Sequence, residues 1–206
     1  MKKIAVFVSG RGSNFASILK EIQNGAIPAE ICCVISDHPH PPAFDIAREA
    51  RIATHWIGRK QFKEPSDYAD FLLALLGEYG IDLIVLAGYM KLIPSPVVHN
   101  YPNAIMNIHP ALLPNFGGKG YYGVKVHEAV LSSGVKITGV TVHFVDEHYD
   151  TGPVILQERI DVFPDDTAET LAKRVLELEH RVFPAAVKAF CEDRLSIKNR
   201  EVVWQK

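Results

Sequence analysis

One stretch near the N-terminus constrains the fold more than any other. Ile4-Ala5-Val6-Phe7-Val8 is a continuous apolar run, followed at once by Ser9-Gly10-Arg11-Gly12-Ser13-Asn14. Phe15, Ile18, Leu19 and Ile22 then recur at helical spacing until Asn24-Gly25 ends the pattern. A run that is apolar at every position suits a parallel strand buried on both faces. The order is therefore strand, glycine loop, helix. The free N–H groups and dipole at such a helix start attract an anion, and glycines let the backbone approach it closely. Ser13 and Asn14 add side-chain donors or caps. A dinucleotide loop needs a third small residue where this chain has Phe15, and Asp37 lies farther along than the usual ribose-binding acid. The loop therefore reads as a seat for one terminal phosphate; a tight turn with a helix cap is the bland alternative.

The alternation continues along the chain. Strands are expected at residues 30–36, 54–57, 82–88, 104–109, 137–145 and 154–156. Helices are expected over 44–50, over a segment marked by Tyr68, Phe71, Leu72, Leu75 and Leu76 with Ser66 as N-cap, over 125–132, and from Thr167 through Phe183, with Pro184 allowing a kink. Leu195-Ser196-Ile197 and Val202-Val203-Trp204 suit a terminal hairpin. The expectation is one α/β domain over residues 1–206. Its sheet is doubly wound, Rossmann-like and mostly parallel, but mixed, with antiparallel strands after the middle.

Composition excludes some partners. The chain has 206 residues, 48% hydrophobic and 22% charged, as for a soluble globular protein, and its net charge is −2. No broad basic field attracts nucleic acid, so an anionic ligand needs a local site. Cys32, Cys33 and Cys191 lack metal-type spacing, and the histidines of Asp37-His38-Pro39-His40 have no matching ligand set, so no metal is expected. The cysteine usage, the absence of a signal h-region and the absence of a membrane-length apolar run together point to a cytoplasmic protein without a membrane partner.

The chemistry centres on Asn107-Ile108-His109-Pro110. Pro110 stops the strand, and residues two apart in a strand point to the same side, so Asn107 and His109 project together at a carboxyl end. A neutral donor beside one able to carry charge suits an oxygen gaining negative charge. The same spacing also serves a core strand ending in two polar turn residues. Tyr89-Met90-Lys91-Leu92-Ile93-Pro94 is unusually apolar for a strand-end loop, reading either as a wall for a flat ligand or as a helix-entry turn. The Pro-, Gly- and aromatic-rich residues 110–123 make a loop long enough to close over substrate. His143 reads as a satisfied core histidine or a support for the site, and the acidic run Asp146-Glu147-His148-Tyr149-Asp150 as a solvated turn.

These motifs resemble the phosphoribosylglycinamide formyltransferases, folate-dependent enzymes of de novo purine synthesis. The resemblance covers nearly the whole chain. It rests on the Ser9–Asn14 loop, Val85-Leu86-Ala87-Gly88-Tyr89-Met90, Asn107-Ile108-His109-Pro110-Ala111-Leu112-Leu113-Pro114, and Val142-His143-Phe144-Val145 followed by Asp150-Thr151-Gly152-Pro153. It implies a formyltransferase fold and the transfer of a formyl group from 10-formyltetrahydrofolate, the co-substrate, to the amine of 5'-phosphoribosylglycinamide. It implies Asn107, His109 and Asp150 as the catalytic trio. Gly12, Ser13, Asn14 and Glu179 would bind the ribonucleotide. Met90, Lys91, Leu92, Ile93, Asn107 and the segment Asp146, Glu147, His148, Tyr149 and Asp150 would bind the folate. In the implied chemistry a protonated His109 is the second donor to the oxyanion and Asp150 favours its charge. Some relatives carry an arginine near the folate tail where this chain has Pro65, leaving Lys63 or Lys60 for that role. The alternatives are a 10-formyltetrahydrofolate hydrolase and a formyltransferase acting on another amine. Methionyl-tRNA formyltransferases share the trio but resemble a longer chain. A non-catalytic phosphate-binding module and a nicotinamide-dependent oxidoreductase are rivals from other classes, the latter opposed by Phe15.

Overall fold

A computed structural model describes residues 1–205. Its strands are β1 (Lys2–Val8), β2 (Ala29–Ser36), β3 (Ala53–Trp56), β4 (Leu83–Leu86), β5 (Ile105–His109), β6 (Ile137–Phe144) and β7 (Val154–Asp161). The helices are α1 (Ser13–Gln23), α2 (Ala43–Glu49), α3 (Pro65–Tyr79), α4 (Ser95–Asn100), α5 (Val124–Ser132) and α6 (Ala168–Cys191). A hairpin of β8 (Leu195–Lys198) and β9 (Glu201–Trp204) follows, as the sequence led one to expect. The strand order is β3-β2-β1-β4-β5-β6-β7. β1 runs parallel to both β2 and β4, and β2 to β3, whereas β6 and β7 are antiparallel, so the sheet is mixed.

Contacts divide the chain into two compact units, Met1–Met106 and the residues from Asn107 onward, with β5 beginning in the first and ending in the second. In the first unit, Ile4 through Val8 of β1 are wholly buried between β2 and β4, which explains a strand with no polar alternation. Phe15 and Ile18 of α1 and Leu72 and Leu76 of α3 are buried with them. Each such side chain contributes roughly 1.5–3 kcal/mol. In the second unit the core holds Val140, Val142 and Phe144 of β6, Val126 and Val130 of α5, and Val182, Phe183, Ala186 and Val187 of α6. β7 is the last strand in the order, and of its residues only Ile155 is buried.

Two helix starts differ from expectation. α1 is capped by Gly12 in the left-handed region, φ 75°, with no side-chain cap, so Ser13 and Asn14 are its first helical residues rather than caps. A Cβ at Gly12 would lie 2.5 Å from Ala43 Cβ, so both the conformation and the contact require glycine. α3 starts at Pro65, preset for a first helical turn, which puts Ser66 inside the helix and makes Glu64 the cap. α6 starts as expected, with Thr167 and Thr170 exchanging side-chain and backbone hydrogen bonds, and the helix runs on through Pro184 to Cys191.

Candidate functional site

The second unit gathers the residues singled out at the end of β5. Pro110 ends the strand after His109, and the two-residue spacing turns Asn107 and His109 toward one carboxylate, Asp150. Asn107 Nδ2 lies 3.5 Å from Asp150 Oδ1, and His109 Nδ1 lies 3.6 Å from Asp150 Oδ2. All three are sheltered, the His109 and Asp150 side chains being 5% and 10% exposed. Asp150 has a left-handed backbone, φ 58°. The tight return that carries it passes through Gly152, where a Cβ would lie 1.8 Å from the Phe144 carbonyl oxygen.

The tautomers follow from the partners. A carbonyl only accepts, so His109 Nε2–H donates to Phe116 O at 2.7 Å, leaving Nδ1 to face Asp150. Likewise His143 Nδ1–H donates to Phe144 O at 2.8 Å, and its Nε2 lies between Asn107 Nδ2 at 3.2 Å and Asp150 Oδ1 at 3.5 Å. His143 thereby borders both Asn107 and Asp150, the supporting role that was one of its two sequence readings. The Asn107–Asp150 contact is long for a hydrogen bond and leaves that N–H available for a better-placed oxygen.

Electrostatics alter one expectation. Burial pushes the His109 pKa down, and it stays below its ordinary value although Asp150 and the Phe116 carbonyl pull it upward. That direction works against the imidazolium from which the implied chemistry starts. Its Nε2–H is also committed to Phe116 rather than free. Asp150 shifts the other way. Burial raises its pKa, but His143, His109 and the Gly118 N–H, 2.9 Å from Oδ2, more than offset that and hold it below the usual range. His127 of α5 is pushed down to about 4 by burial and by His109. Its Nδ1 is buried with no hydrogen-bond partner among the described residues.

The segment after Pro110 is seated by groups that the sequence reading missed. The Thr141 hydroxyl donates to Ala111 O at 2.7 Å and accepts from Leu113 N–H at 3.0 Å. Gln157 Nε2 reaches both Leu113 O and Thr141 Oγ1 at 2.9 Å. The Leu113–Pro114 peptide is cis. Thr141 and Gln157 sit opposite each other on β6 and β7, which strand register alone reveals. The Phe116 carbonyl leaves no mark in sequence at all.

Asp146–Asp150 forms the loop after β6. Asp146 accepts from Thr151 Oγ at 2.6 Å, His148 N–H at 3.1 Å and Arg200 Nη2 at 3.0 Å, while Glu147, His148 and Tyr149 are exposed at the tip. Glu179 is on α6, 8% exposed.

The first unit carries the other two segments. Gly12, Ser13 and Asn14 begin α1, whose first N–H groups have no acceptor within the helix. Met90 to Ile93 follow β4. Met90 and Leu92 are 46% and 42% exposed while Ile93 is buried, so part of this loop presents apolar surface, as a ligand wall would. Met90 N–H donates to Ser9 Oγ at 3.0 Å, tying this loop to the glycine loop. Among the described residues no cluster of three or more metal-binding side chains occurs, and no helix is long and apolar enough to cross a membrane.

Comparison with known proteins matches residues 2–187 to the formyl transferase family model. The Arabidopsis thaliana protein named phosphoribosylglycinamide formyltransferase, chloroplastic, is 45% identical over 196 residues, 94% of this chain and 67% of that protein. The phosphoribosylglycinamide formyltransferase of Haemophilus influenzae is 37% identical over 199 residues, 97% of this chain and 92% of that protein. Among solved structures, glycinamide ribonucleotide transformylase 1 from Symbiobacterium toebii superimposes with a TM-score of 0.94 at 38% identity, covering 100% of this chain and 95% of that one.

Proposed function

The chain belongs to the formyl transferase family, and from that premise we propose that it transfers a formyl group from 10-formyltetrahydrofolate to the amine of 5'-phosphoribosylglycinamide, a step of purine biosynthesis. The observation that carries the reading is the convergence of Asn107 and His109 on Asp150 in a chain matched to that family along most of its length. The products are N-formyl-phosphoribosylglycinamide and tetrahydrofolate.

The amine nitrogen attacks the formyl carbon, and the carbonyl electron pair moves onto oxygen. Asn107 Nδ2–H and His109 Nε2–H donate to that oxygen, the substrate replacing the Phe116 carbonyl as acceptor of the second bond. As negative charge develops, the imidazole becomes more basic. Its Nδ1, facing Asp150, takes the proton lost by the amine, by way of water. Asp150, ionised, steadies the imidazolium. Collapse then breaks the carbon–N10 bond, and the same proton passes to N10, so atoms and charge balance. No covalent enzyme intermediate and no metal enter the scheme.

Gly12, Ser13 and Asn14 hold the ribose phosphate at the start of α1, and Glu179 takes the glycinamide and ribose part. Met90 to Ile93 and Asp146 to Asp150 frame the pterin, Met90 and Leu92 with apolar surface. Small molecules are the partners of this reaction.

The test is tetrahydrofolate release from 10-formyltetrahydrofolate with and without the ribonucleotide. Release that depends on the ribonucleotide, with N-formyl product recovered, is expected. Equal release without it would make the protein a hydrolase instead. Folate binding without turnover would mean a different amine acceptor.

A further inference from the structure

The ends of β1, β2 and β4 in the first unit meet at one buried carboxylate that the proposed reaction does not use. Asp37 follows β2 directly, and its side chain is 7% exposed. Its Oδ1 accepts the Ser9 hydroxyl at 2.6 Å. Ser9 follows β1 and opens the glycine loop. The same Ser9 oxygen accepts Met90 N–H at 3.0 Å, and Ser9 N–H donates to Gly88 O at 3.2 Å. Around the carboxylate lie His38 Nε2 at 3.6 Å and Lys91 Nζ at 3.9 Å, both on exposed side chains.

The direction of each bond is forced. Met90 N–H only donates and an ionised carboxylate only accepts, so the Ser9 hydroxyl must point its proton at Asp37 and a lone pair at Met90. Without an acceptor at position 37, the hydroxyl is free to rotate and its bond to the Met90 loop loses its orientation. The far side of the glycine loop is held separately, by Ala43 N–H to Gly10 O at 3.2 Å and by the close approach of Gly12 to Ala43.

We propose that Asp37 is a positioning residue which, through the Ser9 hydroxyl, sets the glycine loop and the Met90–Ile93 loop as one piece, so that the seats for the phosphate-bearing substrate and for the pterin are fixed together. This rests on the substrate assignment made above. It distinguishes Asp37 from the ribose-binding acid of a dinucleotide site, because its Oδ1 is already engaged by Ser9.

The test compares Asp37→Ala, Asp37→Asn and Ser9→Ala by hydrogen exchange and by steady-state kinetics. Asp37→Ala is expected to speed amide exchange in both 10–14 and 88–93, and to raise KM for both substrates about tenfold with kcat changed less than about threefold. Asp37→Asn keeps an oxygen that accepts the Ser9 hydroxyl and is expected to recover most of the wild-type behaviour. Ser9→Ala removes the shared oxygen itself and is expected to repeat the paired effect, which decides the matter if Asp37→Ala does not fold. Exchange or KM changes confined to one loop or one substrate would overturn the proposal, as would an Asn variant no better than the Ala variant. Wild-type protein that does not use the ribonucleotide would refute the substrate assignment alone, since the exchange pattern still decides whether the loops are coupled.

Discussion

At the scale of single residues, the spacing of Asn107 and His109 was readable because a strand's period of two places them on one side whatever else surrounds them. Their distant partner Asp150 came only from family resemblance, since no local pattern links residues that far apart. The charge of His109 was not readable either. It depends on burial outweighing a nearby carboxylate, a balance set by packing. That balance has a kinetic consequence. If His109 begins neutral and accepts the amine's proton, kcat/KM should be level through neutral pH and fall only in acid, as His109 protonates below its ordinary value of about 6.5. A profile of kcat/KM against pH checks this, and activity that rises as pH drops through 6.5 would indicate a preformed imidazolium instead. Asp150→Asn should keep the shape of the site while lowering turnover, because the amide cannot supply the charge that steadies the imidazolium.

At the scale of elements, strands and helices were legible where burial is uniform or periodic, as in β1 and α6, and misplaced where a backbone conformation decides. Gly12 took the cap of α1 from Ser13 and Asn14 because the chain needs a left-handed turn pressed against Ala43. Pro65 took the start of α3 from Ser66 because its fixed φ already suits a first turn. The loop that delivers Asp150 hangs on the same kind of constraint. Gly152→Ala forces a Cβ into the Phe144 carbonyl, against backbone that cannot rotate away, and should destabilise the protein by at least about 1–3 kcal/mol. Denaturant unfolding measures that loss. Because Asp150 is two residues away, turnover of the protein that remains folded should also fall.

At the scale of the molecule, the alternation of apolar runs and helical periodicities carried the mixed α/β sheet, including the antiparallel β6–β7 pair and the terminal hairpin. What stayed hidden are contacts that only the assembled sheet creates, such as Thr141 and Gln157 seating the 111–113 backbone and the Phe116 carbonyl on His109. Global stability should also carry the mark of a buried neutral histidine. His127 has a folded pKa of about 4 against an unfolded value of about 6.5, so the unfolded chain binds the proton first. Its contribution is complete above about pH 6.5 and is lost as pH falls toward 4, at up to about 1.4 kcal/mol per pH unit. Unfolding free energies of wild type and His127→Gln across that window should differ in slope, the variant being less sensitive to acid. Parallel slopes would mean that His127 is not held neutral.

In the proposed reaction Asn107 and His109 stabilise the oxyanion of a formyl transfer rather than merely close a strand. Single-turnover formyl transfer to 5'-phosphoribosylglycinamide by wild type, Asn107→Ala and His109→Ala, with folate affinity measured on the same samples, tests it most directly. A transfer rate lower by about 10²–10³ is expected in each variant, with folate affinity changed far less. Transfer at the wild-type rate in folded variants would contradict it and return the pair to a structural role.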